Sequence, residues 1–351
     1  MSVTDPARER DRETTERRWW HAPGWFWRTW ILVAVFFGVA VAGSLIVDIP
    51  LRDPGNRFFL GKLAIAAGAW VFLALVDAVV RSRGPDWTVG RLRDALVQRW
   101  TRQRTALVAA GIVAYYAVYV SYRNLKSWDV FRGPYDELLD GWDRWLLGGQ
   151  SPAVLLQDLL GTDVAMYALT FVYRSFTPVV TAFLIGSLVF HRRVRDGYVM
   201  VVAGMWGWIL GTAAYYTIPS LGPFWLTPEE YTDLPRTAIQ TMQEDIVAGR
   251  LVILNAPETP GAVAGISAFA SLHVAMTAIV WLMSRYYGLR RTSWVLFVFL
   301  LLTIVSTLYL GWHYIADDIA GLAIAYAAVW LARWMIYPRG RPGGELREAD
   351  R

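Results

Sequence analysis

Cysteine is absent from the 351-residue chain, which excludes disulfides, thiolate metal sites and cysteine nucleophiles. Cysteine usage therefore says nothing about redox compartment. Histidine is scarce, at four residues, and lysine scarcer still: Lys62 and Lys126 are the only two among 34 basic residues. That preference for arginine is a compositional hint of a GC-rich bacterial genome. Met1 to Arg18 is charged and lacks a hydrophobic region, so it does not read as a cleavable signal peptide. No soluble domain and no internal repeat interrupts the remainder.

Long apolar stretches are what the chain does have. Hydrophobic residues make up 55% of it, tryptophan occurs 19 times, and mean hydropathy is +0.33, values that suit a bilayer better than water. Stretches of the ~18 residues needed to cross a hydrocarbon core recur. They predict eight spans, at 29–48, 58–80, 105–122, 164–190, 198–218, 266–284, 293–311 and 314–337. Lipid offers no hydrogen-bond partner to a backbone, so the spans are read as helices and the fold class as all-α integral membrane. Trp19, Trp20, Trp25 and Trp27 are expected to form an interfacial belt after a cytoplasmic tail.

Basic residues set the orientation. An inside N-terminus puts 24 of them on cytoplasmic segments and 8 outside, with Lys62 and Arg174 inside spans. Both termini are then cytoplasmic, in the plasma membrane. The same asymmetry accounts for the net charge of +5: Arg81, Arg83, Arg91, Arg93, Arg99, Arg102 and Arg104 hold topology and touch anionic headgroups rather than nucleic acid. The expected organisation is a tail at 1–28, two accessory spans with a basic loop at 29–104, a six-helix core at 105–338 and a tail at 339–351.

Three outer segments follow. In 123–163, Leu138, Leu139, Trp142, Trp145 and Leu146 make one apolar helical face, with Asp136, Glu137, Asp140 and Asp143 elsewhere, which suits a helix lying on the interface. Pro219 to Pro223 is a stiff turn that ends the fifth span, and Gly311-Trp312 is a tight turn between the last two.

Two histidines, His21 and His191, fall on the cytoplasmic side; His273 and His313 fall near outer helix ends, with Asp317 one turn after His313. Positions i and i+4 share a helix face, so the carboxylate can reach the imidazole. A carboxylate on one ring nitrogen fixes the tautomer and raises the basicity of the other, as a nucleophilic or general-base histidine needs. The plainer alternative is a set of interfacial hydrogen bonders, but ionisable groups converging at membrane depth point to function.

Ala270-Ser271-Leu272-His273, with Ser306-Thr307, five residues, His313, three residues and Asp317, resembles the second and third motifs of the type 2 phosphatidic acid phosphatase superfamily. The Ser-Leu-His and His-Tyr-x-x-Asp forms look closer to the inositol phosphorylceramide synthase and sphingomyelin synthase branch. The resemblance implies His313 as nucleophile forming a phosphohistidine, Asp317 as its orienting partner and His273 as acid and base on the leaving and incoming oxygens. It also implies phosphate contacts from the backbone at Ser271 and Leu272, with Ser306 as an additional donor, and neither metal nor cofactor. The implied partners are a membrane lipid phosphate and a water or alcohol acceptor.

The family's cations are missing from their places. Counted back from Pro223, Tyr215 and Gly222 stand where the first motif has Lys and Arg, and Thr307 replaces the Arg of the third. Transition-state charge on a phosphoryl group needs cations. Arg174, Arg123 and Lys126 are the candidate replacements, while Tyr215, Tyr216 and Trp225 read as lining of a lipid cleft or interface. A less charged phosphodiester would also fit, which favours headgroup transfer, such as of inositol phosphate, over hydrolysis by a lipid phosphate phosphatase. The competing classes are a metal site made by two histidines and one aspartate, and a non-catalytic lipid-binding or transport protein.

Overall fold

Apolar runs with no outside partner for their amides form helices, and the computed structural model has helices and no strand among its described residues, 22–83, 88–265 and 267–340. The expected tail at 1–18, Trp19, Trp20, His21 and the last residues of the tail expected at 339–351 lie outside that range. Twelve helices of nine residues or more follow one another. They are α1 (Gly24–Val47), α2 (Leu60–Ser82), α3 (Val89–Arg99), α4 (Arg102–Trp128), α5 (Asp136–Leu146), α6 (Pro152–Leu160), α7 (Val164–Phe190), α8 (Val194–Thr217), α9 (Ala238–Asn255), α10 (Leu272–Tyr286), α11 (Arg290–Tyr309) and α12 (Ile315–Ile336). Helix α8 is central, packed by α4, α7, α10 and α12. The N-terminal pair flanks the bundle, α1 on α4 and α2 on α7.

Among the described residues, seven helices are long and apolar enough to cross a membrane. The sixth expected span, 266–284, is shorter than its hydropathy suggests. Helix α10 has 15 residues, about 22 Å, some 8 Å less than a hydrocarbon core. The segment before it is tied up otherwise: Ala268 and Phe269 donate their N–H groups to the carbonyl and hydroxyl oxygens of Ser220 at 2.9 and 2.8 Å. Ser271 then caps α10 through the Val274 N–H. A helix that starts late leaves a recess above its first turn.

Helix α4 departs in the other direction, running on to Trp128 rather than ending near 122. Arg123 and Lys126 are therefore helical, three residues apart on one face, rather than loop anchors. At the other end of the bundle, Arg104 donates to the carbonyls of Leu188, Val189, His191 and Arg192 at 2.9 to 3.0 Å. Arg99 reaches the same turn. Two arginines expected to mark topology thus terminate α7.

Helix α5 is amphipathic, but its polar side faces inward. Leu138, Trp142, Trp145 and Leu146 are exposed, whereas Asp136 and Asp143 are buried. Asp136 accepts from the N–H groups of Leu221 and Gly222 and from the Tyr314 hydroxyl, at 2.7 to 2.9 Å. Asp143 accepts from the Ile315 N–H at 3.0 Å, at the positive end of α12. The carboxylates hold the α8 exit turn and the start of α12 together.

Burial pushes the Asp143 carboxyl up to about 6, against its Ile315 bond. A folded value above the unfolded one favours the folded state while the acid is protonated. That stabilisation is lost as pH rises from about 4 through 6. Asp143→Asn keeps an acceptor without the charge, so it should raise the melting temperature by a few degrees at about pH 7.5 and add nothing at about pH 4. Equal gains at both pH values in a thermal-shift measurement would assign the effect elsewhere.

Candidate active site

The recess above α10 is a cavity of about 400 Å³. It is lined by Leu272 and His273 at the start of α10, His313 before α12, Arg123 and Lys126 of α4, Arg174 of α7, and a wall of aromatic rings that includes Tyr122, Tyr173, Tyr215 and Trp312. The two histidines face one another with ring centroids 6.2 Å apart, a separation that leaves room for one phosphorus and its oxygens.

Each imidazole is held by its surroundings. His273 stacks on Tyr173 at 4.2 Å and against Phe176 at 4.4 Å, and Tyr173 in turn stacks on Trp312 at 5.4 Å. His313 presents Nδ1 to Asp317 Oδ2 at 3.4 Å, a long contact, while the same oxygen accepts the Tyr314 N–H at 2.9 Å. With Nδ1 turned to the carboxylate, Nε2 is the nitrogen left for chemistry. Burial, and then the Lys126 charge, hold the His313 imidazole down to about 3, against a backbone contact with Ala268. His313 is consequently free base at neutral pH, the form that can act as a nucleophile.

Two of the expected phosphate contacts are not on the cavity wall. Ser306 donates to the Leu169 carbonyl at 2.9 Å, because a helical hydroxyl facing a neighbouring helix takes the nearest acceptor there. Ser271 spends its N–H on the Asp317 carbonyl at 2.9 Å and its hydroxyl on the α10 cap and on Asp318. What remains at this helix start are the N–H groups of Leu272 and His273, which have no intrahelical partner by geometry.

The replacement cations do reach the cavity. Lys126 Nζ lies 4.9 Å from the centre of the Tyr215 ring, so an ammonium from α4 comes to the residue that stands where the first motif has lysine. Gly222, at the arginine position, has φ +104° and lies so close to the Trp312 carbonyl that a Cβ would sit 2.7 Å from its oxygen. No side chain fits there. Thr307, in place of the other arginine, turns to Asp318 at 3.0 Å. Arg123 and Arg174 make no ion pair or hydrogen bond through their side chains among the described residues. Tyr216 bonds the Leu125 carbonyl and Trp225 is exposed, so neither joins the cavity. Among the described residues, no group of three histidine, aspartate or glutamate side chains is placed to hold a metal ion.

A family model described as the PAP2 superfamily matches residues 138–331, more than half of the chain. The chain belongs to the PAP2 superfamily. Membership makes phosphatase- or phosphotransferase-type chemistry its function and phosphate esters its substrates. No curated protein and no solved structure matches it. The PAP2 match contains both histidines and Asp317 but begins after α4, so Arg123 and Lys126 lie outside it.

Sequence reasoning did not find the stacking of Tyr173 between His273 and Trp312, or the clamp by Asp136 and Asp143. Neither carries a motif; adjacent buried Asp317 and Asp318 were the one local sign of a polar network.

The histidine pair is spaced by the contact of α10 with α12 at Gly321, where a Cβ would come 2.5 Å from the Ser271 carbonyl oxygen. Gly321→Ala must push the helices apart, at a stability cost of about 1–3 kcal/mol. A displacement near 1 Å should lower phosphoryl turnover about 100-fold in protein that still folds. Unchanged turnover in folded Gly321→Ala would mean that this contact does not set the pair.

Proposed function

We propose that this protein is a metal-independent lipid phosphotransferase that works through a phosphohistidine on His313. Nε2 of His313 attacks the phosphorus of a lipid phosphoester, and the bond to the leaving oxygen breaks. His273 takes up a proton when the anionic ester lies beside it and gives that proton to the leaving alkoxide. It then removes a proton from the acceptor hydroxyl, whose oxygen attacks the phosphohistidine and frees His313. Asp317 orients the imidazole and offsets the positive charge that it gains. Lys126, Arg174 and the Leu272 and His273 N–H groups stabilise the transferring phosphoryl oxygens. The residues that carry this chemistry fall in the six-helix core, 105–338.

One observation carries the reading: two histidines 6.2 Å apart face each other in a cavity that three basic side chains also line. With these cations present, low substrate charge is no longer needed to explain the missing motif residues. Transfer is instead favoured by the walls. Aromatic faces and tyrosine hydroxyls suit the ring and hydroxyls of a polyol acceptor better than they suit bulk water. This agrees with the resemblance to the inositol phosphorylceramide and sphingomyelin synthase branch. The basic-residue asymmetry supports a cavity that opens to the extracytoplasmic face of a bacterial plasma membrane.

Purified protein incubated with labelled lipid extract should form an acid-labile phosphoryl adduct that His313→Ala abolishes, and vanadate should inhibit. Asp317→Asn should lower turnover by several orders of magnitude, on the pattern of other His–Asp pairs. Supplying inositol or water as the acceptor identifies the product class. Full turnover by His313→Ala would end the nucleophile assignment; products formed only with water would make the protein a hydrolase.

A further inference from the structure

The only two lysines of the chain flank one arginine. Lys126 lies one turn beyond Arg123 on α4. Lys62, in the first turn of α2, comes four residues after Phe58, whose ring packs on Arg123, and the two charges repel. Among the described residues neither Lys62 nor Arg123 has an ion-pair or hydrogen-bond partner for its side chain, and the Arg123 Nε is buried without an acceptor. Two half-buried like charges without a counter-ion are costly where an anion does not join them.

The loop before α2 is built around this position. The Arg52 backbone exchanges hydrogen bonds of 2.7 and 2.9 Å with the side-chain amide of Asn124, the neighbour of Arg123. The Arg52 guanidinium donates to the Ala262 and Pro257 carbonyls at 2.8 and 2.5 Å. The Asp53 carboxylate accepts from the Phe58 and Phe59 N–H groups at 2.6 and 3.0 Å. The result fixes the Phe58 ring 4.5 Å from the Arg123 guanidinium carbon, a cation–π contact that orients the group without neutralising it.

We propose that the N-terminal hairpin completes an anion subsite beside the cavity, in which Lys62 and Arg123 bind a second phosphate on the substrate headgroup and Phe58 positions Arg123. Arg123 and Lys126, at i and i+3, have Cβ atoms roughly 5–6 Å apart. The second phosphate therefore sits about one helical turn from the phosphorus held at Lys126 and the histidines. The subsite selects headgroups with two phosphates joined by a short linker over those with one. This rests on the proposed function only in placing the reacting phosphate between His273 and His313.

Calorimetric titration of the full-length protein in detergent, at neutral pH, tests the subsite without turnover. The probes are ethylene glycol bisphosphate and ethyl phosphate. Wild type should bind the bisphosphate at least about 10-fold more tightly. Lys62→Gln should weaken bisphosphate binding by about 10-fold and ethyl phosphate binding by less than about 2-fold, and Lys62→Arg should restore the difference. Phe58→Leu should lie between and Phe58→Trp should match wild type. Equal affinities in wild type, or a preference that Lys62→Gln leaves intact, would overturn the subsite. A preference that survives where no His313 adduct forms would sink the catalytic mechanism and spare the subsite; an adduct without the preference would do the reverse.

Discussion

Positive charge gathered in one recess, with fewer carboxylates than cations around it, is the constraint that organises the site. An ion taken out of water costs several kcal/mol unless it is paired, and buried Lys126, half-buried Arg123 and the more exposed Arg174 all line one cavity. The fold offsets part of that cost with π-faces, Phe58 for Arg123 and Tyr215 for Lys126. Asp129, bonded to Ser267 on the cavity wall, supplies the nearest negative charge to Lys126. Arg174 has a different environment: Pro178, four residues on, has no N–H to donate to its carbonyl, so α7 lacks one ladder bond at the level of the cation. Compensation is partial, and the proposed phosphate substrate is the anion that would complete it. Burial first, and then the Lys126 charge, favour the free base of His313, so a cation that suits a phosphate also helps prepare the imidazole.

The spans were legible because lipid imposes one rule on every backbone group, and hydropathy reports it directly. That rule weakens where protein rather than lipid surrounds the chain. Ala268, Phe269 and Ala270 look like the start of a span, yet Ser220 takes the amides of the first two and the helix waits for the Ser271 cap. Arg123 and Lys126 look like the end of a span, yet α4 continues because its last turns face the bundle and the N-terminal hairpin. Helix α5 shows the same limit. Its leucines and tryptophans announce a surface helix, and nothing local indicates that its carboxylates cap other elements.

Within the site, the pairing of His313 with Asp317 was legible because i and i+4 meet on any helix, and the approach of His273 because a motif links positions forty residues apart. Ser306 misled for the reason that makes helical hydroxyls poor predictors: a carbonyl on the neighbouring helix satisfies it first. The origin of the cations was legible only as a deficit. Three absences at Tyr215, Gly222 and Thr307 indicated that charge must come from elsewhere, and only the packing of α4 and α7 says from where.

That packing divides labour along the chain. Both histidines and Asp317 lie within the PAP2 match, whereas Arg123, Lys126 and Lys62 lie before it. At Gly222 the close Trp312 carbonyl forbids any side chain, so the turn that brings His313 into place also closes the usual position for an arginine. A chain with this turn must deliver charge from another direction, and the face of α4 is open to the cavity. The N-terminal hairpin then has a physical reason to be present. An extended α4 carrying cations at its tip gains from a partner that orients them, and the loop from Arg52 to Phe59 holds the Phe58 ring against Arg123. Chemistry set by one segment and charge set by another can change independently, and under the proposed subsite substrate preference follows residues remote in sequence from the histidine pair.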